Sequence, residues 1–134
     1  MTRDASNNKS LVEEYIHCLS TRQFDKLADF WDLDTGNWWV NGTPPAVPYG
    51  GDLGARERLS QLLDVLGGFE QYEFRIKTLT AEGPRVVVEG QPKGDGPQGR
   101  RYRNDVIMSI TLQGGKIVDK REYLDHEAVK QSLE

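Results

Sequence analysis

Residues 101–125, RYRNDVIMSITLQGGKIVDKREYLD, give the clearest indication of the fold. Apolar and polar residues alternate with period two over much of 101–112, which is typical of a strand with one buried face. Gly114 and Gly115 then mark a tight turn, and residues 116–125 read as a second strand. Because strands joined by a short hairpin run antiparallel, this stretch predicts an antiparallel pair that ends a sheet.

Three further strands are predicted upstream. Residues 69–81 and 85–90 flank a turn at Gly83 and Pro84, and the segment 92–99 reads as a loop rich in Gly, Pro and Asp. Residues 37–41, Asn-Trp-Trp-Val-Asn, form a short strand, because aromatic and β-branched side chains favour extended backbone.

Three amphipathic helices are predicted in the N-terminal half. Ser10 and Glu13 have the spacing of a capping box, and apolar residues then recur at helical intervals as far as Leu19. A shorter helix covers residues 24–31. A third helix carries four leucines on one face and stops at the glycine pair 67–68.

The order helix, helix, strand, helix and four strands predicts an α+β fold. Three amphipathic helices must cover one face of a curved, mostly antiparallel sheet, which gives a cone with an interior. Residues 126–132 read as a short closing helix. The sequence shows no repeat, linker or second domain, so residues 1–134 are predicted to be one domain.

The composition excludes several classes of function. With 37% hydrophobic and 28% charged residues and a net charge of −4, the chain is of the globular type and a poor match for nucleic acid or anionic membranes. One cysteine, Cys18, rules out an intrachain disulfide, and the two histidines lie too far apart for a metal-ligand pattern. No apolar run approaches a membrane span. We therefore expect a cytoplasmic protein without a metal or cofactor.

Several motifs, in order and spacing, resemble the SnoaL-like branch of the nuclear-transport-factor-2-like superfamily. They are WVNGTPP at 39–45, YGG at 49–51, YRN at 102–104, GKI at 115–117 and REYLD at 121–125. The resemblance spans roughly residues 8 to 130. It implies the cone fold and a pocket for a small molecule. Members include polyketide cyclases, ketosteroid isomerases, limonene-epoxide hydrolases, dehydratases and non-catalytic proteins, so the fold alone does not name the chemistry.

Candidate catalytic residues come from the resemblance to limonene-epoxide hydrolases. It implies that Asn41, Arg85 and Asp125 stand where that family has a catalytic asparagine, an arginine and a terminal aspartate. Two positions differ from the pattern: Trp39 replaces a tyrosine, and Val87 replaces the proton-donating aspartate.

Each candidate also has a structural interpretation. Asp125 either faces the cone as a proton-transfer group or caps the helix predicted over residues 126–132. Glu122 lies three residues earlier, so in a regular strand the two side chains face opposite sides. The favoured interpretation of Glu122 is a surface or dimer-face residue paired with Lys120 or Arg121.

The remaining candidates are less constrained. An inward Arg85 would hold Asp125 ionised or bind an anionic group, whereas an outward one is a strand-end residue. Asn41 either orients water or a carbonyl or serves the turn at Gly42. Trp38 and Trp39 must face opposite sides of their strand. The aromatic residues predicted to line the pocket are Trp39, Tyr49 and Tyr123.

Two functions are compatible with these features. The first is a cofactor-independent acid–base enzyme acting on a small apolar or polycyclic molecule, as a cyclase, isomerase, dehydratase or hydrolase. The second is a non-catalytic ligand-binding or assembly domain. A homodimer is expected in either case, because the outer face of the sheet carries apolar residues that need cover: Ile107, Val118 and Leu124.

Overall fold

The elements follow the predicted order, with one strand more than predicted, because residues 101–103 and 106–113 form two strands where the sequence predicts one. A computed structural model of the protein describes residues 2–133. In chain order the elements are α1 (Thr2–Ser20), a 3-10 segment (Phe24–Phe30), β1 (Asn37–Val40), α2 (Ala55–Leu66), β2 (Gln71–Glu82), β3 (Arg85–Asp95), a 3-10 turn (Pro97–Gly99), β4 (Arg101–Arg103), β5 (Val106–Gln113), β6 (Lys116–Leu124) and α3 (His126–Leu133).

The sheet is mixed and open. Its strand order is β1-β6-β5-β3-β2, and the short β4 pairs with β3 beside this path. β1 runs parallel to β6, and the other pairs are antiparallel. The predicted α+β class, with a curved and mostly antiparallel sheet covered by helices, is confirmed. Among residues 2–133, no helix is long and apolar enough to cross a membrane.

The core lies between α1 and the inner face of the sheet. The predicted apolar stripe of α1 is buried at Val12, Tyr15 and Ile16, and the inner face contributes fully buried side chains such as Val88 and Ile110. Removing this much apolar surface from water is the main stabilising contribution to the fold.

The predicted start of the first helix is wrong. α1 begins at Thr2, and Ser10 is an exposed residue inside the helix rather than its cap. A tertiary contact holds the earlier turns, because the Asn8 side chain donates a hydrogen bond of 3.2 Å to the carbonyl of Gly83 in the β2–β3 turn. A local capping signal cannot report this distant partner.

Half of the predicted loop over 92–99 is strand, since β3 continues to Asp95, and residues 97–99 form a 3-10 turn. On one edge of β3, Pro92 pairs with Phe74 of β2. On the opposite edge Pro92 has no partner, because pairing with β5 ends at Gly90 and pairing with β4 starts at Lys93. A proline lacks an N–H, so a gap between two partner strands is a place where the sheet tolerates it.

A bulge in β6 sets the direction of the residues that follow it. The pairing with β5 shifts between Thr111 and Leu112, which pair with Asp119 and Ile117 respectively. Val118 is therefore the extra residue, and the side-chain alternation changes phase there. As a result Ile117 and Lys120 are both buried although they are three residues apart.

A second irregularity bends β2 where it crosses β3. The register of that pair shifts between Ile76 and Thr78, opposite Gly90. A Cβ atom at Gly90 would lie 2.2 Å from the ring of Phe74. The missing side chain lets the aromatic ring pack directly on the strand, where a methyl group would not fit.

Candidate functional site

A cavity of about 530 Å³ lies between α2, α3 and the inner face of the sheet. Most of its wall is apolar and comes from every layer of the fold: Leu19, Val40, Leu66, Phe69, Phe74 and Met108. Its mouth is marked by exposed residues at the loop before α2 and on α2 itself: Pro48, Gln61, Asp64 and Val65. An apolar hollow of this size is typical of a small-molecule site.

Three charged side chains interrupt the apolar wall. Arg58 comes from α2, and Lys120 and Glu122 come from β6, two residues apart on the face that the bulge turns inward. Lys120 Nζ lies 3.6 Å from Glu122 Oε1, with only 3% of the lysine side chain and 16% of the glutamate side chain exposed. Charged residues this deeply placed are uncommon and are usually paired.

Trp38 organises this cluster from β1. Its indole Nε1 donates a hydrogen bond of 3.1 Å to Glu122 Oε1. Lys120 Nζ lies 3.6 Å from the centre of the Trp38 ring, and 5.4 Å from that of Tyr15. The parallel register of β1 and β6 pairs Trp38 with Lys120 directly, which accounts for this contact. A cation over an indole face is attracted by the ring quadrupole.

Arg58 is held by neutral acceptors. Its Nε donates to the Trp38 carbonyl at 2.9 Å and its Nη2 to the Gly51 carbonyl at 2.6 Å, while Nη1 donates to Gln61 Oε1 at 3.3 Å. Burial lowers the pKa of the Arg58 guanidinium, and the charges of Glu122 and Asp52 oppose that shift. An arginine pKa starts so high that the side chain stays cationic.

Two tyrosine hydroxyls complete the polar part of the cavity. The pKa of Tyr72 and that of Tyr102 are raised above the ordinary value, mainly by burial and to a smaller extent by the nearby charge of Glu122. Tyr102 Oη accepts a hydrogen bond of 2.8 Å from Asn104 Nδ2, which leaves its own proton free for another acceptor. Both hydroxyls thus stay neutral donors at physiological pH.

Two asparagines fix the end of β6. Asn41 Nδ2 donates to the Leu124 carbonyl at 3.3 Å, and the Leu124 amide donates back to Asn41 Oδ1 at 3.1 Å. Asn104 makes the same reciprocal pair with the backbone of Asp125, at 3.0 and 3.1 Å. The side-chain amide of Asn41, a predicted catalytic residue, therefore bonds to backbone through both its nitrogen and its oxygen. These bonds support the strand that carries Glu122.

The other predicted catalytic residues do not line the cavity. Asp125 is exposed, and its Oδ1 accepts a hydrogen bond of 2.9 Å from the Glu127 amide, which is the capping role weighed above. Arg85 is exposed at the start of β3, and Val87 is 36% exposed on the outer face. The position expected to carry an acid therefore does not face the cavity.

The predicted aromatic wall is only partly present. Tyr49 lines the cavity, and its hydroxyl lies 2.8 Å from His126 Nδ1, a hydrogen bond that joins the loop before α2 to α3. Burial, and secondarily the charge of Asp125, raises the Tyr49 pKa. Trp39 and Tyr123 instead meet edge to face on the outer surface, with ring centres 5.0 Å apart. The predicted roles of these residues stay predictions.

Sequence reasoning missed the residues that do converge. Glu122 pairs with Lys120 as predicted, but its predicted place on the surface is wrong, because both side chains line the cavity. Arg58 and Lys120 were not proposed for the site. The sequence contained one signal of this site. Lys120, Glu122 and Leu124 lie on the same face of a strand, so two opposite charges are neighbours on a face that also carries an apolar residue.

A curved sheet wrapped over helices around an apolar cavity with a few buried polar groups defines the cone-shaped α+β class. The sequence profile of the SnoaL-like domain matches residues 12–120. The chain therefore belongs to the SnoaL-like domain family, and the resemblance drawn from its motifs is confirmed.

Known proteins match over nearly the whole chain. UPF0523 protein C of Dictyostelium discoideum is 24% identical over 131 residues, covering 92% of this chain and 84% of that protein. An LEH-like epoxide hydrolase of M. tuberculosis aligns with a TM-score of 0.75 at 20% identity, covering 96% of this chain and 91% of that one. TerC, co-crystallised with polyporic acid, aligns with a TM-score of 0.72 at 21% identity, covering 92% and 98%. At these identities the structural matches show a shared fold.

Proposed function

We propose that this protein is a cofactor-independent acid–base enzyme that acts on a small, largely apolar molecule inside the cavity. The observation that carries the proposal is the Glu122 carboxylate on an otherwise apolar wall. Trp38 and Lys120 contact its Oε1, whereas Oε2 has no hydrogen-bond partner among the side chains of residues 5–132. A carboxylate oriented at one oxygen and open at the other is suited to move a proton to or from a bound ligand.

The surrounding groups support this chemistry. Lys120 fixes the carboxylate and supplies positive charge beside it, and the Tyr102 hydroxyl offers a proton donor in the same cavity. A base and a neutral donor on one substrate are what enolisation, cyclisation, dehydration and epoxide opening share in their first step. The fold relatives favour small-molecule chemistry too, since one is an epoxide hydrolase and another was crystallised with polyporic acid.

A non-catalytic binding domain is the second candidate. Among the side chains that the structure describes, those of residues 5–132, Glu122 is the only acidic one on the inner wall, and it is already ion-paired. A single paired carboxylate can serve to hold Lys120 in place and transfer no proton. The same fold is found in enzymes and in binding proteins, so an activity measurement is needed to distinguish the two candidates.

The test compares two carboxyl-to-amide variants, Glu122→Gln and Asp125→Asn. Solvent deuterium uptake by enolisable cyclic ketones and ¹⁸O uptake from labelled water by aryl epoxides are measured by mass spectrometry. We expect turnover of at least one probe class, lost about 10²–10⁴-fold in Glu122→Gln because the general acid–base group is gone. Asparagine caps helices as well as aspartate does, so Asp125→Asn keeps the helix cap.

Four results are informative. Loss only in Glu122→Gln supports the proposal. Loss only in Asp125→Asn overturns it in favour of the assignment drawn from the sequence resemblance. Equal turnover in both variants and the wild type overturns it, because neither carboxylate then moves the proton. Absence of turnover of both probe classes by the wild type favours the binding domain.

A further inference from the structure

The buried charges of the cavity do not cancel. Arg58 and Lys120 are 5% and 3% exposed, and Glu122 is the only inner-wall carboxylate in the described part of the chain. Asp64 borders the cavity at its mouth, and Asp52 acts on Arg58 from outside the cavity lining; both carboxylates are exposed to solvent, which screens their charge. With all three inner groups ionised the cavity carries one excess positive charge. An uncompensated charge away from water is costly, so the arrangement calls for an anion.

Lys120 has donors that the protein does not use. Its Nζ makes no hydrogen bond to any described residue, because Glu122 Oε1 at 3.6 Å is the nearest carboxylate oxygen and lies beyond hydrogen-bond length. The Trp38 ring covers one side of the ammonium. An ammonium has three N–H donors, so at least one remains for a group inside the cavity.

Arg58 has unused donors as well. Three of its N–H groups bond to Trp38, Gly51 and Gln61, one from each guanidinium nitrogen. A guanidinium carries five N–H groups, which leaves two. Arg58 and Lys120 both line the cavity, from opposite layers of the fold. They provide two cationic groups for one bound anion.

We propose that the ligand of this cavity is a monoanion: an apolar ring body that carries one oxyanion, held by Lys120 with Arg58 in support. The apolar wall takes the ring body. A dianion is disfavoured, because Glu122 repels the second negative charge, and a cation is disfavoured by the excess positive charge already present. This inference deepens the proposed function by naming its substrate class and rests on it, but binding is measured separately from turnover.

The experiment uses isothermal titration calorimetry at pH 7 with two isosteric probes, 2-naphthoate and neutral 2-naphthamide. We expect the wild-type protein to bind the carboxylate at least about tenfold more tightly, since a charge-assisted hydrogen bond is stronger than a neutral one. Lys120→Met should reduce this preference to about onefold while the amide still binds. Lys77→Met removes a lysine from the exposed face of β2 and is the matched control that keeps the preference.

Glu122→Gln provides a second variant with the opposite sign. It removes the only inner carboxylate and raises the excess positive charge, so it should tighten binding of 2-naphthoate about threefold to tenfold. The same variant is expected to lose turnover, so a tighter but inactive protein supports both proposals. Tighter anion binding with unchanged turnover contradicts the proposed function and leaves the proposed anion site supported.

A second probe separates carboxylates from phenolates. 4-Nitrophenol absorbs differently when ionised, so a bound phenolate beside Lys120 appears as an increased ionised fraction at fixed pH. Binding of either anion supports the proposal, and the one that binds identifies the oxyanion. Equal affinity of the wild type for 2-naphthoate and 2-naphthamide overturns the proposal. An undiminished preference for 2-naphthoate in Lys120→Met also overturns it. The wild-type comparison remains decisive even where Lys120→Met fails to fold.

Discussion

Removing the carboxylate of Glu122 should cost stability as well as activity. At 3.6 Å and an effective dielectric constant of about 20, Coulomb's law gives roughly 4.6 kcal/mol of attraction between Lys120 and Glu122. The full figure is not lost, because water entering the cavity partly solvates the lysine that remains. Breaking a buried pair by removing one partner costs about 3–5 kcal/mol, because it leaves an uncompensated buried charge. We therefore expect Glu122→Gln to lower the free energy of unfolding by about 2–3 kcal/mol.

A double-mutant cycle isolates the pair. Lys120→Met keeps the length of the side chain and removes its charge, and we expect a loss of about 1–2 kcal/mol. The double variant has no unpaired charge from this pair, so its loss should fall below the sum of the single losses, with a coupling energy of about 1–2 kcal/mol. Urea unfolding at pH 7 measures all four proteins, with an unchanged m-value as the condition for comparing them.

An exposed ion pair in the same chain is the matched control. Arg56 Nη2 and Asp34 Oδ1 are closer, at 3.2 Å, but their side chains are 67% and 89% exposed. Solvent screening should hold the coupling in an Arg56→Met and Asp34→Asn cycle below about 0.5 kcal/mol. The reasoning is refuted if the shorter, exposed pair couples as strongly as the pair in the cavity. It is also refuted if Glu122→Gln unfolds at the wild-type urea midpoint.

Two further predictions concern the tyrosines and the outer face. The pKa of Tyr72 and that of Tyr102 are raised in the folded state. The free energy of unfolding is therefore at its highest below about pH 10, and above that pH it falls by about 1.4 kcal/mol per pH unit for each hydroxyl. Urea midpoints from pH 8 to 11 should therefore decline less in the Tyr72→Phe and Tyr102→Phe variants, and equal slopes would contradict the raised pKa. We also propose that the outer face pairs with a second copy, since Ile107 and Tyr123 are 46% and 43% exposed there. Ile107→Lys should halve the mass measured by light scattering at micromolar concentration, and a monomeric wild type would contradict this.

The elements that the sequence predicts correctly depend on local patterns. The strand over 116–125 follows from its neighbouring turn glycines, and β5 from the alternation that precedes them. The errors arise where a distant partner decides. α1 starts early because Asn8 bonds to Gly83, and β3 passes through Pro92 because two different strands border it on the same side. Neither contact is visible in a local window of sequence.

The site was harder to predict than the fold because it depends on the phase of one strand. Alternation correctly puts Glu122 and Asp125 on opposite sides, but it does not say which side is the interior. The bulge at Val118 sets that phase, and the resemblance drew attention to Asp125 instead. The outer-face prediction fails in part for the same reason, since Leu124 lines the cavity while Ile107 is exposed.

The fold itself gives no reason for charges at this depth. Replacing a buried ion pair with apolar side chains of similar volume is often neutral, or stabilises a protein by about 1–4 kcal/mol. Apolar residues at 120 and 122 would extend the apolar wall that Leu124 continues, and the sheet register would not change. Positions where a sequence breaks the rules of core composition are where function is expected. We therefore propose that the unused donors of Lys120 and the open Oε2 of Glu122 belong to one site, in which the first bind an anion and the second moves its proton.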